Sequence, residues 1–478
     1  MAYATVNPYT NEIVKQYDNS TPDEIERTLA NAYNLYKSMR DDPVAPRAKI
    51  LHKLSQIFIK DAEQLAKPLV EDMGKLYNEA LGEVAICADI AEYYAANAER
   101  LLAPESVQTL SGQAQILNRP YGVLMAVEPW NFPYYQIMRV FAPYFAAGNP
   151  MVLKHAANTP GSALAFEAAV EKAGAPVGSF KNLFLSYDQV ADVIADPRIQ
   201  GVCLTGSERG GKAVAAEAGK NLKKSTMELG GNDAFIVLDD ANMDEVEKVS
   251  AAARLYNCGQ VCTSSKRFIV TEKNYDRFIK NLAEQFANVK MGDPMDPTTT
   301  LAPMCTEKNK NKLQKQVDEA IAAGAKVYYG NEPVDLDGQF FQPTILTDIT
   351  KDNPAYYQEM FGPVAQVYKV KDEAAAIELA NDSHLGLGGI VYSGDAEHGA
   401  EVAAKIETGM MFVNTFLSTL PEIPFGGIKM SGYGRELGDE CIYSFVNREL
   451  VVKNPDPEGK LPENKFGGLV APALLPQD

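Results

Sequence analysis

A cysteine and a carboxylate bracket the most reactive stretch of this chain. Met227-Glu228-Leu229-Gly230-Gly231 places a carboxylate before two glycines, and Gly259-Gln260-Val261-Cys262 presents a thiol ahead of the small polar residues Thr263, Ser264 and Ser265. A thiolate is the best side-chain nucleophile near neutral pH, and a carboxylate that cannot outcompete it can still activate water. The pair suits chemistry that passes through a thioester later cleaved by water. Those two residues alone also fit a packed core cysteine and an unrelated glutamate, because free cysteine behaves as a small hydrophobe.

The elements around the pair read as alternating strands and helices. Val123–Val127 reads as a strand, followed by a helix from about Tyr135 to Ala147 that ends at Gly148. The short strand Met151–Lys154 comes next, then a helix beginning near Thr159-Pro160 and stopping at Gly174. A third strand, Gly201–Leu204, runs into Thr205-Gly206-Ser207 and another helix. After Gly231, the strand Phe235–Leu238 leads to a helix from about Met243 to Asn257, which delivers the chain to Cys262. Such alternation implies a parallel α/β sheet. Ligands in these sheets bind beyond the carboxyl ends of strands, where helix N-termini offer free amides. Gly206-Ser207-Glu208-Arg209-Gly210-Gly211 sits in that place. It is not the G-x-G-x-x-G fingerprint, so both a pyrophosphate contact and a plain tight bend fit it.

The outer parts of the chain look like support. Thr21-Pro22-Asp23-Glu24 is a capping box with proline at the first helical position, and Ile25, Leu29, Ala32 and Leu35 follow at helical spacing. Helical packing elements continue to Arg100. Residues 105 to 127 read as a hairpin running into a strand, with a turn at Arg119-Pro120-Tyr121-Gly122. Pro455 to Asp478 is rich in proline, glycine and charge, which suits an extended arm or loose tail.

Composition excludes several functions. A chain of 478 residues exceeds one ordinary core, so two or three domains are expected. A net charge of -18 argues against a nucleic-acid-binding surface. No apolar run approaches the ~20 residues needed to span a bilayer. Met1 to Pro8 lacks the basic start and apolar core of a signal peptide, so a cytoplasmic protein without nucleic-acid or membrane partners is expected. The cysteines Cys87, Cys203, Cys258, Cys262, Cys305 and Cys441 are scattered rather than set in a disulfide framework. With 4 histidines and no ligand-like pair, no metal site is expected, and Cys262 reads as a free thiol.

Taken together, Pro129–Pro133, Met227–Gly231, Gly259–Cys262, Glu359–Pro363 and Pro424–Gly427 occur in the order and spacing of the aldehyde dehydrogenase superfamily, which the chain resembles up to about Lys453. The resemblance implies an α/β fold: a Rossmann-type cofactor domain (1–104 and 126–230), an α/β catalytic domain (231–439), and a small β oligomerisation element with the C-terminal tail (105–125 and 440–478). It implies a homodimer or homotetramer, associating through the 105–125 hairpin and a strand from Phe445 to Lys453. By the same resemblance Cys262 adds to the aldehyde carbon, and the Asn131 side chain and the Cys262 amide hold the oxyanion. Glu228 then activates water. Lys154 and Glu359 hold the two riboses, Trp130, Gly206, Ser207, Gly211 and Leu229 lie about the pyrophosphate, and Phe361 lies against the nicotinamide. A Glu at position 228 favours hydrolysis to the free acid over transfer to another acceptor.

NAD-preferring relatives commonly carry a Glu where this chain has Ala157, so the missing carboxylate together with Lys154 favours NADP, with NAD still possible. Arg139 lies about two helical turns beyond Asn131, where it can project into the same funnel and grip a carboxylate; a surface arginine fits that spacing equally. Tyr134–Arg139 resembles the family members that act on succinate semialdehyde, and Tyr135, Ser418 and Thr419 fall at substrate positions. Many such enzymes have a further arginine where this chain has Tyr256, with Arg254 nearby. Some relatives place a second cysteine where Ser264 stands, and a disulfide from Cys258 would be strained. The reaction implied is oxidation of succinate semialdehyde, or a similar short carboxylated aldehyde, with NADP. A broad aliphatic aldehyde dehydrogenase is the alternative, and a non-catalytic dinucleotide-binding protein is one of another class. A cofactor-free thioester hydrolase would leave Lys154, Gly206 and Glu359 unexplained.

Overall fold

Buried apolar runs make the strands, and their pairing sorts the chain into sheets. The structure is a computed structural model, and it describes residues 3–109, 112–416 and 418–453. One sheet has the order Gly432–Tyr433, Lys224–Glu228, Ile199–Thr205, Val123–Val127, Met151–Lys154, Phe180–Asn182. Its strands are parallel except for the short antiparallel edge Gly432–Tyr433. In register, Val127 lies beside both Lys154 and Leu204, and Thr205 lies beside Glu228. Lys154, Thr205 and Glu228 therefore end on one rim, with Glu128 just past its own strand.

Helix Pro133–Ala146 starts with proline, whose missing N–H is harmless in a first turn, and every one of its residues is buried. It packs with Ala45–Lys60 and Tyr77–Leu101 in a core that includes Phe58, Tyr94, Phe141 and Phe166. Near the N-terminus, helix Pro22–Met39 is capped by the Thr21 side chain, which accepts from the Glu24 amide at 3.2 Å.

A second sheet has the order Lys326–Tyr329, Thr344–Thr347, Val364–Val370, Arg267–Thr271, Ala234–Val237, Gly389–Tyr392, Phe412–Val413, and only the first pairing is antiparallel. The third sheet is antiparallel: Val446–Lys453 pairs with Gly112–Pro120, which pairs with Glu105–Thr109.

Two local expectations are corrected. The hairpin is formed by Glu105–Thr109 and Gly112–Pro120, so Arg119–Gly122 is not its turn but the passage from the third sheet into the first. Helix Met243–Leu255 stops short of Asn257, for the backbone reason given below. The expectation for Pro455 to Asp478 lies outside the described residues. Among the described residues, no helix is long and apolar enough to cross a membrane.

Candidate active site

The helix before the cysteine ends at Leu255, where Tyr256 opens to ψ 134° and the backbone then turns left-handed. Asn257 and Cys258 have φ of 53° and 54°, and Gly259 follows at 70°. Each L-residue in that region costs roughly 1–2 kcal/mol, so outside contacts must hold the bend. Glu79 Oε1 accepts from the Asn257 amide at 3.0 Å, and Asn257 Nδ2 donates to the Asn131 carbonyl at 2.9 Å. Asn131 answers by donating from Nδ2 to the Gln260 carbonyl at 3.0 Å. A Cβ at Gly259 would come within 2.4 Å of the Gly362 carbonyl oxygen, so this position requires glycine. Asn131 is thus tied to the cysteine loop and keeps a second amide proton for a ligand.

Cys262 is half-buried and lines a cavity of about 280 Å³. The walls include Phe132, Tyr135, Tyr256, Val261, Phe416 and Phe425, with Ser418 and Thr419 among the hydroxyls. Tyr256 faces Phe132 with ring centroids 6.0 Å apart. Among the described residues, Glu83 is the one charged side chain on this wall, and it forms a fully buried ion pair with Lys75. Its other oxygen accepts from the Tyr134 and Tyr135 amides at 2.8 and 3.1 Å, which holds the first turn of the helix carrying Tyr135. Burial pushes the Cys262 thiol up to about 11, while Lys266 and then Arg139 pull it back.

Arg139 does not reach this cavity, which corrects the expectation that it projects into the substrate funnel. One turn of helix carries it behind Tyr135, where its side chain is 0% exposed and paired with Glu436. Nη1 donates to the Tyr135 hydroxyl at 3.2 Å and Nη2 to Thr205 Oγ1 at 3.0 Å, while the guanidinium carbon lies 4.3 Å from the Phe425 ring centroid. Arg254 is also withheld: it is buried and donates from Nε to the Val364 carbonyl at 2.6 Å.

Glu228 lies in the same buried cluster as Arg139, Glu436 and Glu128. The carboxylates of Glu128 and Glu228 lack well-formed hydrogen bonds. Burial and then the charge of Glu436 push both well above the usual carboxylate range, against the pull of Arg139. Arg139 is shared among three carboxylates and Arg435 adds only a lesser pull on Glu228, so burial and Glu436 prevail and this arrangement favours a protonated Glu228. Space for Glu228 depends on Gly426, where a Cβ would come within 2.6 Å of its Oε1.

Along the strand rim, Lys154 is buried with no carboxylate set against it among the described residues, and burial lowers its ammonium to about 8. Ala157 is half-buried and adds no charge. Gly206 follows strand Ile199–Thr205, and the exposed Ser207 caps helix Glu208–Lys220 by accepting from the Gly210 amide at 3.3 Å. A Cβ on Gly211 would come within 2.6 Å of the Leu229 side chain, so the helix lies close over Leu229. Glu359 accepts from the Gly231 amide at 3.1 Å, and a Cβ on Gly230 would come within 2.5 Å of its other oxygen. Trp130 and Phe361 meet edge to face at 5.6 Å. An unpaired buried ammonium, an open helix N-terminus and glycines that permit close approach together fit a phosphate-bearing dinucleotide.

Several residues here escape sequence reasoning. Glu83, Glu128, Glu436 and Lys266 are buried charges each of which also meets a group outside its own stretch of chain: the Tyr134 and Tyr135 amides for Glu83, Arg139 for Glu128 and Glu436, and Glu359 for Lys266. Only the entry of Lys266 into the wholly buried strand Arg267–Thr271 offers a local sign.

The model of the aldehyde dehydrogenase family matches residues 1–451. The NADP(+)-dependent succinate-semialdehyde dehydrogenase of Deinococcus radiodurans is 44% identical over 453 residues, covering 95% of each chain. Its counterpart from Mycobacterium avium is 41% identical over 455 residues, 94% of this chain and 96% of that one. Among solved structures, succinic semialdehyde dehydrogenase from Streptococcus pyogenes, in complex with NADP+ as the cofactor, superposes with a TM-score of 0.93 at 56% identity, covering 94% of this chain and 99% of that one.

Proposed function

The chain belongs to the aldehyde dehydrogenase family, and on that premise we propose that it oxidises succinate semialdehyde, or a similar short carboxylated aldehyde, to the acid with NADP. The observation that carries this reading is Cys262 half-buried on the wall of an aromatic-lined cavity, with Asn131 tied to its loop.

In this reading the Cys262 thiolate adds to the aldehyde carbon. The Asn131 side-chain amide and the Cys262 backbone N–H receive the oxyanion, each such donor being worth ~2.7–4 kcal/mol of barrier. A nicotinamide cofactor bound here would supply the hydride acceptor. Lys154, Glu359 and the Gly206–Ser207 turn hold that cofactor, with Trp130, Gly211, Leu229 and Phe361 shaping its bed. The thioester left on Cys262 is cleaved by water that Glu228 deprotonates. Glu228 must first lose its own proton, which its burial opposes.

Hydroxyls supply the grip on the substrate carboxylate. Arg139 donates into the Tyr135 hydroxyl, so that hydroxyl's own proton is free to point onward, where Thr419 Oγ1 lies 3.4 Å away. Tyr135, Thr419 and Ser418 thus form a donor set with a guanidinium charge behind it. The aromatic walls favour a second reading, a broad aliphatic aldehyde dehydrogenase. Reduced-cofactor absorbance with succinate semialdehyde or butanal, each with NADP and NAD, separates them. Fast turnover only with the carboxylated aldehyde and NADP supports the first, and equal rates support the second.

A division into a cofactor domain, a catalytic domain and an association element would follow the three larger sheets among the described residues. Val107, Leu450 and Val452 expose apolar side chains on the third sheet, which supports pairing with a second copy as a homodimer or homotetramer. A cytoplasmic setting would keep all the free cysteines reduced.

A further inference from the structure

Lys266 has no part in the scheme above, yet its ammonium is bonded to the nucleophile's own backbone carbonyl. Nζ donates to the Val261 carbonyl at 2.8 Å and to the Cys262 carbonyl, and it pairs with Glu359 Oε1 at 3.2 Å. The Lys266 side chain is 0% exposed. A fully buried ammonium is tolerated when its donors are met, and here three acceptors meet three N–H groups. Its backbone is held as firmly: the Lys266 and Arg267 amides both donate to the Asp233 carbonyl at 3.1 Å. The Asp233 carboxylate lies on the same side, since a Cβ on Gly231 would meet Asp233 Oδ1 at 2.7 Å and the Cys262 carbonyl oxygen at 2.4 Å.

We propose that Lys266 is a positioning residue for the nucleophile: it clamps the Cys262 carbonyl, and so the direction of the Cys262 peptide, while its charge is divided between the Cys262 sulfur and the Glu359 carboxylate. The proposal rests on the reading of Cys262 as the attacking group. The charged groups facing that thiol are Lys266 and Arg139, which favour the thiolate, and Glu359 and Asp233, which oppose it. Lys266 is the one that touches both the cysteine's own peptide and an opposing acid. Glu359 and the thiolate therefore compete for one cation. Hydroxyl donors that engage Glu359, as a ribose would, leave more of that charge to the sulfur, so the thiol is sharpened without being touched.

Alkylation of Cys262 by iodoacetamide, located by peptide mass spectrometry and followed against pH without cofactor or aldehyde, tests this. The remaining cysteines are buried and serve as internal controls. Lys266→Met is expected to move the midpoint up by about 1 pH unit, the low end for loss of an adjacent opposite charge. Glu359→Gln is expected to move it down. A Lys266→Met protein with native circular dichroism and an unmoved midpoint overturns the proposal. Should Lys266→Met fail to fold, an unmoved or raised midpoint in Glu359→Gln overturns it instead. Alkylation needs no turnover, so an absence of aldehyde oxidation would count against the proposed function and leave this measurement standing.

Discussion

Replacing Arg139 separates a buried structural charge from a substrate anchor. Arg139→Met removes the guanidinium from a site where, among the described residues, Glu436 has no other ion-pair partner and Glu128 and Glu228 already lack well-formed hydrogen bonds. Breaking a buried pair from one side costs about 3–5 kcal/mol, because the abandoned charge stays desolvated. Glu436→Gln should cost less, about 1–2 kcal/mol, since the guanidinium keeps Glu128 and Glu228 beside it. In Arg139→Met/Glu436→Gln neither charge is stranded, so most of the loss should return. Urea unfolding of the wild type and the three variants gives this cycle directly. Selectivity is then read on the double variant as kcat/KM for succinate semialdehyde over butanal. A direct guanidinium–carboxylate grip is worth about 1.5–3 kcal/mol, so its removal would lower that ratio by roughly 10- to 150-fold. With Tyr135 and Thr419 making the contact, the ratio should fall by less than about tenfold. An Arg139→Met protein within about 1 kcal/mol of wild type, or a hundredfold loss of selectivity in the double variant, would refute the reasoning.

Glu228→Gln should lower steady-state turnover by about 10²–10⁴-fold while leaving a first-turnover burst of reduced cofactor, because only thioester hydrolysis needs the base. In the wild type the deacylation rate should fall on acidification through a midpoint above the usual carboxylate range, since burial raises Glu228 and only its deprotonated form works; Glu436→Gln should lower that midpoint by removing a like charge, visible in rapid-quench pH profiles. Ala157→Glu should raise KM for NADP by about 10- to 100-fold and spare NAD, staying below the ~4 kcal/mol of two charges 4 Å apart at an effective dielectric of 20. Asp72, which accepts from Thr5 Oγ1 at 2.5 Å and the Ser162 amide at 2.6 Å, has its carboxyl raised by burial from 3.8 to about 6. Its protonation therefore contributes stability that is fully present below about pH 4 and lost as pH rises through about 6, up to about 3 kcal/mol. Urea unfolding of wild type minus Asp72→Asn between those limits should show that slope, and a flat difference would contradict it.

Much of the fold was legible locally. Short apolar runs bounded by glycine and proline located Val123–Val127 and Met151–Lys154, because a strand buried on both faces shows as a continuous apolar stretch. Helix ends were harder. Nothing in the spacing of Met243 to Asn257 announces two left-handed residues, since Asn257 is held there by Glu79 and Asn131 from elsewhere in the chain. The passage at Arg119–Gly122 reads locally as a turn, and only strand pairing reveals that it joins two sheets.

Residue types and their order set the chemistry on offer: a thiol among small polar residues, a carboxylate beside paired glycines, and the ordered motifs that identify the family. Which charges act on which depends on the folded arrangement. Arg139 and Glu436, and Lys266 and Glu359, are far apart in the chain, and their pairing follows from sheets that bring distant strand ends together. Spacing placed Arg139 on a helix that could face the cavity, but the depth of that helix, buried at every residue, put its guanidinium behind the wall instead. Burial explains why this matters: a desolvated charge takes its energy and its protonation from the nearest partner, and that partner is a property of the fold.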